Sequence, residues 1–350
     1  MTNEQIYPAS AGHEYRKSDP NFLVLSDLSV GYRNRAVLNK LNLSAVRGEL
    51  VAVIGRNGAG KSTLMRTIAR LQPALSGKTL IAGKPLERYS RNELACLLSI
   101  VSTEPVAVSH MSVKQLVSFG RFPHSNWIGK LSERDLALIE ESIRMVGIKS
   151  LENKKIHEIS DGERQRAMIA RTLAQDTDMI LLDEPTAFLD MPNKYEVVRL
   201  LHRLTRERRK TILFSTHDLN IAMQEADKLW LMIDDTLYEG APEDLVLNRQ
   251  LARIFEGTKL HFDAGKGEFN IKRTDTRSIN LSGKGQALFW TKKALERSGF
   301  SVNAKKNHHD PEVTVSESQP TYWTFQDQNE QMRFDSIYDL SQYVSNNGGH

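Results

Sequence analysis

The chain has 350 residues, 40% of them hydrophobic, and its 47 Lys and Arg nearly balance 43 Asp and Glu for a formal net charge of +4. That length accommodates two or three domains with a sizeable core, and so small a charge, spread along the chain, is too weak to argue for a nucleic-acid partner. One cysteine, Cys96, excludes an internal disulfide and fits a reducing compartment; no stretch approaches the roughly 20 apolar residues of a membrane helix, so a membrane role requires a partner that supplies the span.

Residues 1–20 are polar, without an apolar period or the apolar core of a signal peptide, and are expected to form a tail. "FLVLSDLSVGY" and "VLNKLNLSAV" alternate as half-buried strands do, and "GELVAVIG" is a short continuous apolar run of the buried, parallel-sheet kind. A glycine-rich turn and a helix come next. From Ser112 to about Ala174 the pattern is helical: "SVKQLVSFGRF", then "SERDLALIEESIRMVGI" capped by Ser132, then the helix after Ser160, on which Ala167, Ala170, Leu173 and Ala174 share one face. "DMILLD", "TILFST" and "KLWLMID" resume the sheet with helical segments between them, the alternation of a parallel α/β layer. "APEDLVLNRQLARIF" closes this part as helix. Beyond about Gly257 the texture changes to a hairpin in "GTKLHFDAGKGEFNIKR", an amphipathic helix in "GQALFWTKKALERSG", strands in "EVTVSE" and "TYWTF", and a short helix in "SIYDLSQYV", together a small α+β domain. In "NHHDPE", His308 and His309 form an isolated pair in a polar loop, unremarkable as metal ligands.

Three stretches carry chemistry. "GRNGAGKST", Gly55 to Thr63, matches the P-loop pattern between the strand "VAVI" and the helix "LMRTIARL". Gly55, Gly58 and Gly60 let the backbone amides of the loop, those of Asn57 and Ala59 included, turn toward phosphates. Lys61 reaches the terminal phosphates, and the Ser62 hydroxyl, with Thr63 beside it, is placed to ligate Mg²⁺. "MILLDEP" ends an apolar strand in two carboxylates: Asp183 is suited to hold Mg²⁺ through water, and Glu184 to polarise an attacking water. "LFSTHDL" puts His217 at the end of another strand, on the carboxyl edge where α/β sheets bind ligands. "EISDGERQR" adds a fourth signal, because Ser160 and Glu163 make a capping box whose helix start also presents bare amides to an anion.

In this order, P-loop, helical insert, signature, acidic strand and histidine resemble the ATP-binding cassette (ABC) family, the nucleotide-binding subunits of membrane transporters. The resemblance runs from about Phe22 to Gly257. It implies an α/β P-loop NTPase fold with a RecA-like core, an antiparallel β subdomain and a helical subdomain at about 105–175, all within a nucleotide-binding domain over 21–257. The small α+β accessory domain then covers 258–350. By the same resemblance, Ser160, Gly162 and Glu163 belong to the signature that closes over ATP held by the opposite subunit, and Asp190 in "TAFLD" lies on the loop joining the two sites. Tyr32 sits where the family stacks an aromatic ring on adenine; a strand tyrosine packed on the sheet is the other reading of it.

Two departures from the family pattern stand out. Asp161 occupies the place of a usual glycine after the signature serine, where it is expected to point away from phosphate. After the strand "CLLSIV" the family places a glutamine that ligates Mg²⁺ and senses the membrane partner; here "STEPVAV" offers Thr103 or Glu104 instead. The implied protein is an ATPase that uses ATP and Mg²⁺, dimerises around two ATP, and powers a separate permease, with a substrate-binding protein as a further partner and no nucleic acid. It would sit peripherally on the cytoplasmic face of the inner membrane. "VKQLVSFGRFPHSNWIGKLSERD" looks like the insert of importers of iron-siderophore, haem and cobalamin. The alternatives are a soluble ABC ATPase of DNA repair or translation, which lacks its long heptad insert or second cassette here, and a nucleotide-sensing regulatory module, which Glu184 and His217 argue against.

Overall fold

A computed structural model describes residues 21–33, 35–102, 110–125, 130–187, 189–233, 236–265, 267–271, 277–303, 306–316, 318–328 and 330–347. The expected tail and the Thr103/Glu104 position lie outside the described residues. The chain divides into two compact units, Met1–Ile254 and Phe255–His350.

In the first unit, β1 (Asn21–Tyr32) and β2 (Arg35–Val46) pair antiparallel and bury Leu23, Leu25, Leu28 and Val30 from one strand against Leu38, Leu41 and Leu43 of the other. Next, β3 (Leu50–Ile54) is buried at all five positions, as a continuous apolar run in a covered parallel sheet must be. The chain continues through α1 (Lys61–Ile68), β4 (Ser76–Ile81), β5 (Lys84–Pro85), α2 (Arg91–Leu97) and β6 (Leu98–Val101). β4 and β5 complete a four-stranded antiparallel sheet in the order β2-β1-β4-β5. The expected strand "CLLSIV" is shorter than read: the Ser90–Glu93 capping box starts a helix that takes in Cys96 and Leu97, and pairing with the next sheet strand begins only at Leu98.

Helices α3 (Val113–Ser118), α4 (Glu133–Met145) and α5 (Asp161–Ala174) form the insert and pack on one another. α3 ends earlier than the pattern "SVKQLVSFGRF" suggests. Phe119–His124 tightens into a 3₁₀ turn containing Pro123, which cannot donate to a helix ladder. On α5, Ala167, Ala170 and Ala174 are fully buried, and Leu173 is half-buried.

After α5 come β7 (Met179–Leu182), α6 (Met191–Arg208), β8 (Thr211–Thr216), α7 (Leu219–Glu225), β9 (Lys228–Ile233), β10 (Thr236–Gly240), α8 (Pro242–Leu247) and α9 (Gln250–Arg253). The central sheet runs β10-β9-β3-β8-β7-β6, parallel except for the edge strand β10. Its register aligns the strand ends. Ile54 lies opposite Thr216 and Leu182 opposite Phe214, so the chain leaves β3, β7 and β8 at the same carboxyl edge.

The second unit holds a hairpin of β11 (Leu260–Asp263) and β12 (Glu268–Ile271), then β13 (Arg277–Ser282), α10 (Gly285–Arg297), β14 (Phe300–Val302), β15 (Glu312–Val315), β16 (Trp323–Gln326), β17 (Gln331–Phe334) and α11 (Ile337–Asn347). Five strands form a mixed sheet ordered β14-β13-β15-β16-β17 around a core of its own, including Ile279, Leu295, Phe300, Val313 and Leu340. Trp323 Nε1 donates to Thr291 Oγ1 at 2.6 Å and so ties α10 to that sheet. Three of its strands, β13, β14 and β17, are additional to those expected from the sequence.

Candidate functional site

β3 delivers the glycine-rich loop directly into α1. Gly60, the residue before α1, has φ +101°, a left-handed conformation that a side chain would strain, and a Cβ there would meet Val37 Cγ1 at 2.8 Å. Lys61 is 5% exposed, and its ammonium donates to the carbonyl oxygens of Gly55 at 2.9 Å and Arg56 at 3.2 Å. Burial lowers its pKa, while the negative charges of Glu184 and Asp183 oppose that shift. A buried cation facing two carbonyls and two nearby carboxylates is suited to accept phosphate oxygens. Ser62, next on the helix, is exposed. Tyr32 ends β1 as a residue 53% exposed, and its hydroxyl accepts a hydrogen bond from Thr63 Oγ1 at 3.1 Å. That bond ties the ring to the start of α1.

Asp183 and Glu184 follow β7 beside this loop. Asp183 is buried and its backbone N–H donates to the Val101 carbonyl at 2.8 Å. Glu184 has φ +48°, a conformation that costs a non-glycine residue about 1–3 kcal/mol and persists only where its neighbours hold it. The neighbour that holds it is on β8. Ser215 Oγ accepts from the Glu184 N–H at 2.9 Å and donates to Asp183 Oδ1 at 2.6 Å. Two residues further on, His217 is 58% exposed at its side chain, with Nδ1 3.9 Å from Glu184 Oε2. The P-loop, the two carboxylates and the histidine are therefore neighbours on one sheet edge, where strand ends of an open α/β sheet bind ligands.

The predicted signature residues lie on α5. Ser160 caps it: its hydroxyl accepts from the Glu163 N–H at 3.3 Å, and the Glu163 carboxylate accepts from the Ser160 N–H at 2.8 Å and its hydroxyl at 3.0 Å. The backbone bond from Ser160 comes first among the causes that hold the Glu163 carboxyl below its ordinary pKa. The amides of Asp161 and Gly162 find no acceptor among the described residues, which leaves the helix start able to receive an anion. Asp161 turns back along the helix, its Oδ1 accepting from Arg164 Nη1 at 3.0 Å with its side chain 71% exposed. A Cβ on Gly162 would lie 3.0 Å from Leu189 Cδ2, so the bare backbone there lets the segment before Asp190 approach. Asp190 itself caps α6, with Oδ1 accepting from the Asn193 N–H at 3.1 Å. No hydrogen bond joins Ser160 or Gly162 to the P-loop of the same chain among the described residues.

The insert fixes α5 from its other end. Arg121, 5% exposed, donates through Nε to Asp135 Oδ1 at 2.7 Å and through Nη1 to the carbonyl of Ala174 at 2.8 Å, and His124 Nε2 lies 2.8 Å from the Gln175 carbonyl. A Cβ on Gly120 would sit 2.1 Å from the Arg171 carbonyl oxygen. The "GRFPH" run is thus a clamp on the C-terminal end of the signature helix. A cleft of about 720 Å³ opens elsewhere, between α4, α5 and α6, with Arg144, Arg166, Arg199 and Arg203 in its lining; the P-loop does not border it.

Ser215 lies in no sequence motif, and the "GRFPH" run that holds Arg121 resembles an importer insert without marking the arginine as a clamp. The available signal for Ser215 is a single serine in the otherwise apolar core of "ILFST", two positions before His217. No helix among the described residues is long and apolar enough to cross a membrane. Nor do the described residues hold a group of three or more His, Cys, Asp or Glu arranged for a metal ion; beside His308 and His309, Asp310 Oδ2 accepts from the side-chain amides of Asn303 and Asn307.

Residues 38–187 match the ABC transporter family, and residues 276–345 match the iron ABC transporter C-terminal domain. The achromobactin transport ATP-binding protein of Dickeya dadantii is 38% identical over 230 residues, covering 65% of this chain and 86% of that protein. The petrobactin import ATP-binding protein FpuD of Bacillus anthracis is 36% identical over 252 residues, 69% of this chain and 92% of that one. Among solved structures, an ABC transporter in an inward-facing conformation matches with a TM-score of 0.60 and 26% identity, over 71% of this chain and 95% of that one. Nucleotide loop, paired carboxylates and histidine on one sheet edge accompany relatives of this similarity and coverage, and the chain belongs to the ABC family as the ATP-hydrolysing subunit of a transporter.

Proposed function

We propose that two copies of this subunit pair head to tail around two ATP and power import of an iron chelate, of the siderophore, haem or cobalamin-type class, through a separate permease fed by a substrate-binding protein. The names of the relatives and the iron-transporter match over 276–345 support this class of cargo. The subunit then works peripherally, on the cytoplasmic face of the inner membrane. Its nucleotide-binding domain spans 21–257 with the helical subdomain at about 105–175, and 258–350 is a small α+β accessory domain.

In this reading the loop amides from Gly55 to Gly60 cradle the phosphates, Lys61 leaves its own loop carbonyls to bind the terminal phosphates, and Tyr32 stacks on adenine. Ser160, the Gly162 amide and the rest of the signature meet the γ-phosphate bound by the partner subunit, and Asp190 couples the two sites. Glu184 orients and polarises the attacking water, and His217 holds the γ-phosphate in line. Mg²⁺ fits the residues present: the exposed Ser62 hydroxyl and the Asp183 carboxylate are hard oxygen donors next to the buried Lys61. When bound, the ion supplies charge neutralisation on the phosphates.

The observation that carries the proposal is the meeting of Lys61, Asp183, Glu184 and His217 at one sheet edge. Glu184→Gln tests it. Removing the base is expected to lower ATP turnover by roughly 10²–10⁴-fold while leaving ATP binding intact, so that ATP-loaded dimers accumulate on a sizing column. A Glu184→Gln protein that hydrolyses ATP at the parent rate refutes the assignment.

A further inference from the structure

We infer that Ser215 is a positioning residue for hydrolysis, whose one hydroxyl sets both the carboxylate of Asp183 and the backbone of Glu184. The inference rests on the roles proposed above for those two acids.

Ser215 is fully buried in β8, between Phe214 and Thr216, which are buried as well. A serine hydroxyl has one proton to donate and two lone pairs to receive. Here the proton goes to Asp183 Oδ1 at 2.6 Å, and a lone pair receives the N–H of Glu184 at 2.9 Å. The short bond to the carboxylate is of the charge-assisted type, so it fixes the rotation of that carboxylate. It also occupies Oδ1 and leaves Oδ2 without a hydrogen-bond partner among the described residues, as the oxygen available for a cation.

The second bond acts on geometry. Glu184 is the residue at which the chain turns off β7, and it does so at φ +48°. In that conformation its carboxylate lies 3.9 Å from His217 Nδ1, and the Ser215 hydroxyl takes up its amide. Two adjacent acids with different tasks are thereby indexed to one point on the next strand, two residues before the histidine. An alanine at 215 would leave the Glu184 amide and Asp183 Oδ1 both without this partner, and both groups would be free to turn.

The test uses the full-length protein with Ser215→Ala and Ser215→Thr. Expected for Ser215→Ala is a folded protein by circular dichroism, with ATP affinity measured without Mg²⁺ by calorimetry within about two-fold of the parent. Its kcat should fall roughly 10–100-fold, and the Mg²⁺ concentration for half-maximal turnover should rise several-fold, the usual scale for removing a partner of a ligating group. Ser215→Thr, which restores the hydroxyl, should recover most of both losses. A Ser215→Ala protein whose kcat and Mg²⁺ dependence match the parent overturns the inference, and so does an equal loss in the alanine and threonine variants. Glu184→Gln assayed alongside separates the two readings: if it stays active the role of Glu184 fails, whereas an inactive Glu184→Gln beside a normal Ser215→Ala removes Ser215 alone.

Discussion

Replacing Arg121 with methionine should loosen the insert that carries the signature helix. The guanidinium is 5% exposed and makes two bonds that no neighbour can replace, to the Asp135 carboxylate at 2.7 Å and to the Ala174 carbonyl at 2.8 Å. Methionine fills much of the volume but leaves a carboxylate that is itself only 7% exposed without its cation, with Ser132 as its remaining donor. Breaking a buried pair by removing one partner costs about 3–5 kcal/mol. For a unit of this size, roughly 2–4 °C per kcal/mol translates that into a fall in melting temperature of about 10 °C. Thermal melts followed by circular dichroism read it directly. A second variant separates charge from shape: adding Asp135→Asn removes the stranded charge while keeping an oxygen for Ser132, which donates to Asp135 Oδ2 through its amide and hydroxyl. The double variant should therefore be more stable than Arg121→Met alone. Acid gives a third reading. Burial opposes ionisation of Asp135, but the hydrogen bonds from Ser132 and Arg121 win and hold its carboxyl at about 2, against an ordinary 3.8. A depressed carboxyl contributes stability above its unfolded pKa and loses it as pH falls toward its folded one, so the gap between parent and variant should narrow from about pH 4 down to about pH 2. A melting temperature within about 2 °C of the parent at neutral pH would refute the clamp, as would a double variant no more stable than the single.

Two more variants probe the signature helix and the division between the units. Asp161→Gly should change ATP turnover by less than about three-fold, because the side chain pairs with Arg164 on its own helix and such exposed i,i+3 pairs contribute only about 0.2–0.5 kcal/mol. A ten-fold gain, about 1.4 kcal/mol of barrier, would show that Asp161 restrains the site. Deleting the chain after Gly257 should leave a folded protein with basal ATPase close to the parent, since the second unit has a separate core and shares none of its residues with the first. Loss of folding on truncation, seen by circular dichroism, would show instead that the first unit depends on the second.

What the sequence made legible is what neighbours along the chain decide. The P-loop, the carboxylate pair and the capping box at Ser160 each lie within nine consecutive residues, so their chemistry could be read before any contact was known. The order of the parallel strands β3, β7, β8 and β9 was equally open to reading, because they are short apolar runs set off by helical periods. In the second unit β14, "FSV", has three residues and β17, "QMRF", four, so their alternation is too short to stand out from chance. β13 was hidden for another reason: its buried pair, Ile279 and Asn280, includes a polar residue whose amide is satisfied only by Asn303, Asn307 and Asp310 from a later loop.

The residues that escaped sequence reading share one cause: their partners are distant in the chain. Ser215 reaches Asp183 and Glu184 only because β7 and β8 pair in the register that sets Leu182 opposite Phe214; shifted by one residue, the serine would face the other side of the sheet. Arg121 is read locally as part of a turn around Pro123, and only the packing of α3, α4 and α5 brings the Asp135 carboxylate and the last carbonyls of α5 within its reach. Both residues hold in place something that was legible, the acidic strand end in one case and the signature helix in the other. The motifs therefore supply the reacting groups, while the tolerance on their positions is set by side chains on neighbouring elements that no local pattern marks. This is why the decisive variants are Ser215→Ala and Arg121→Met: each leaves the P-loop, the carboxylate pair and the capping box intact and removes only what aims them.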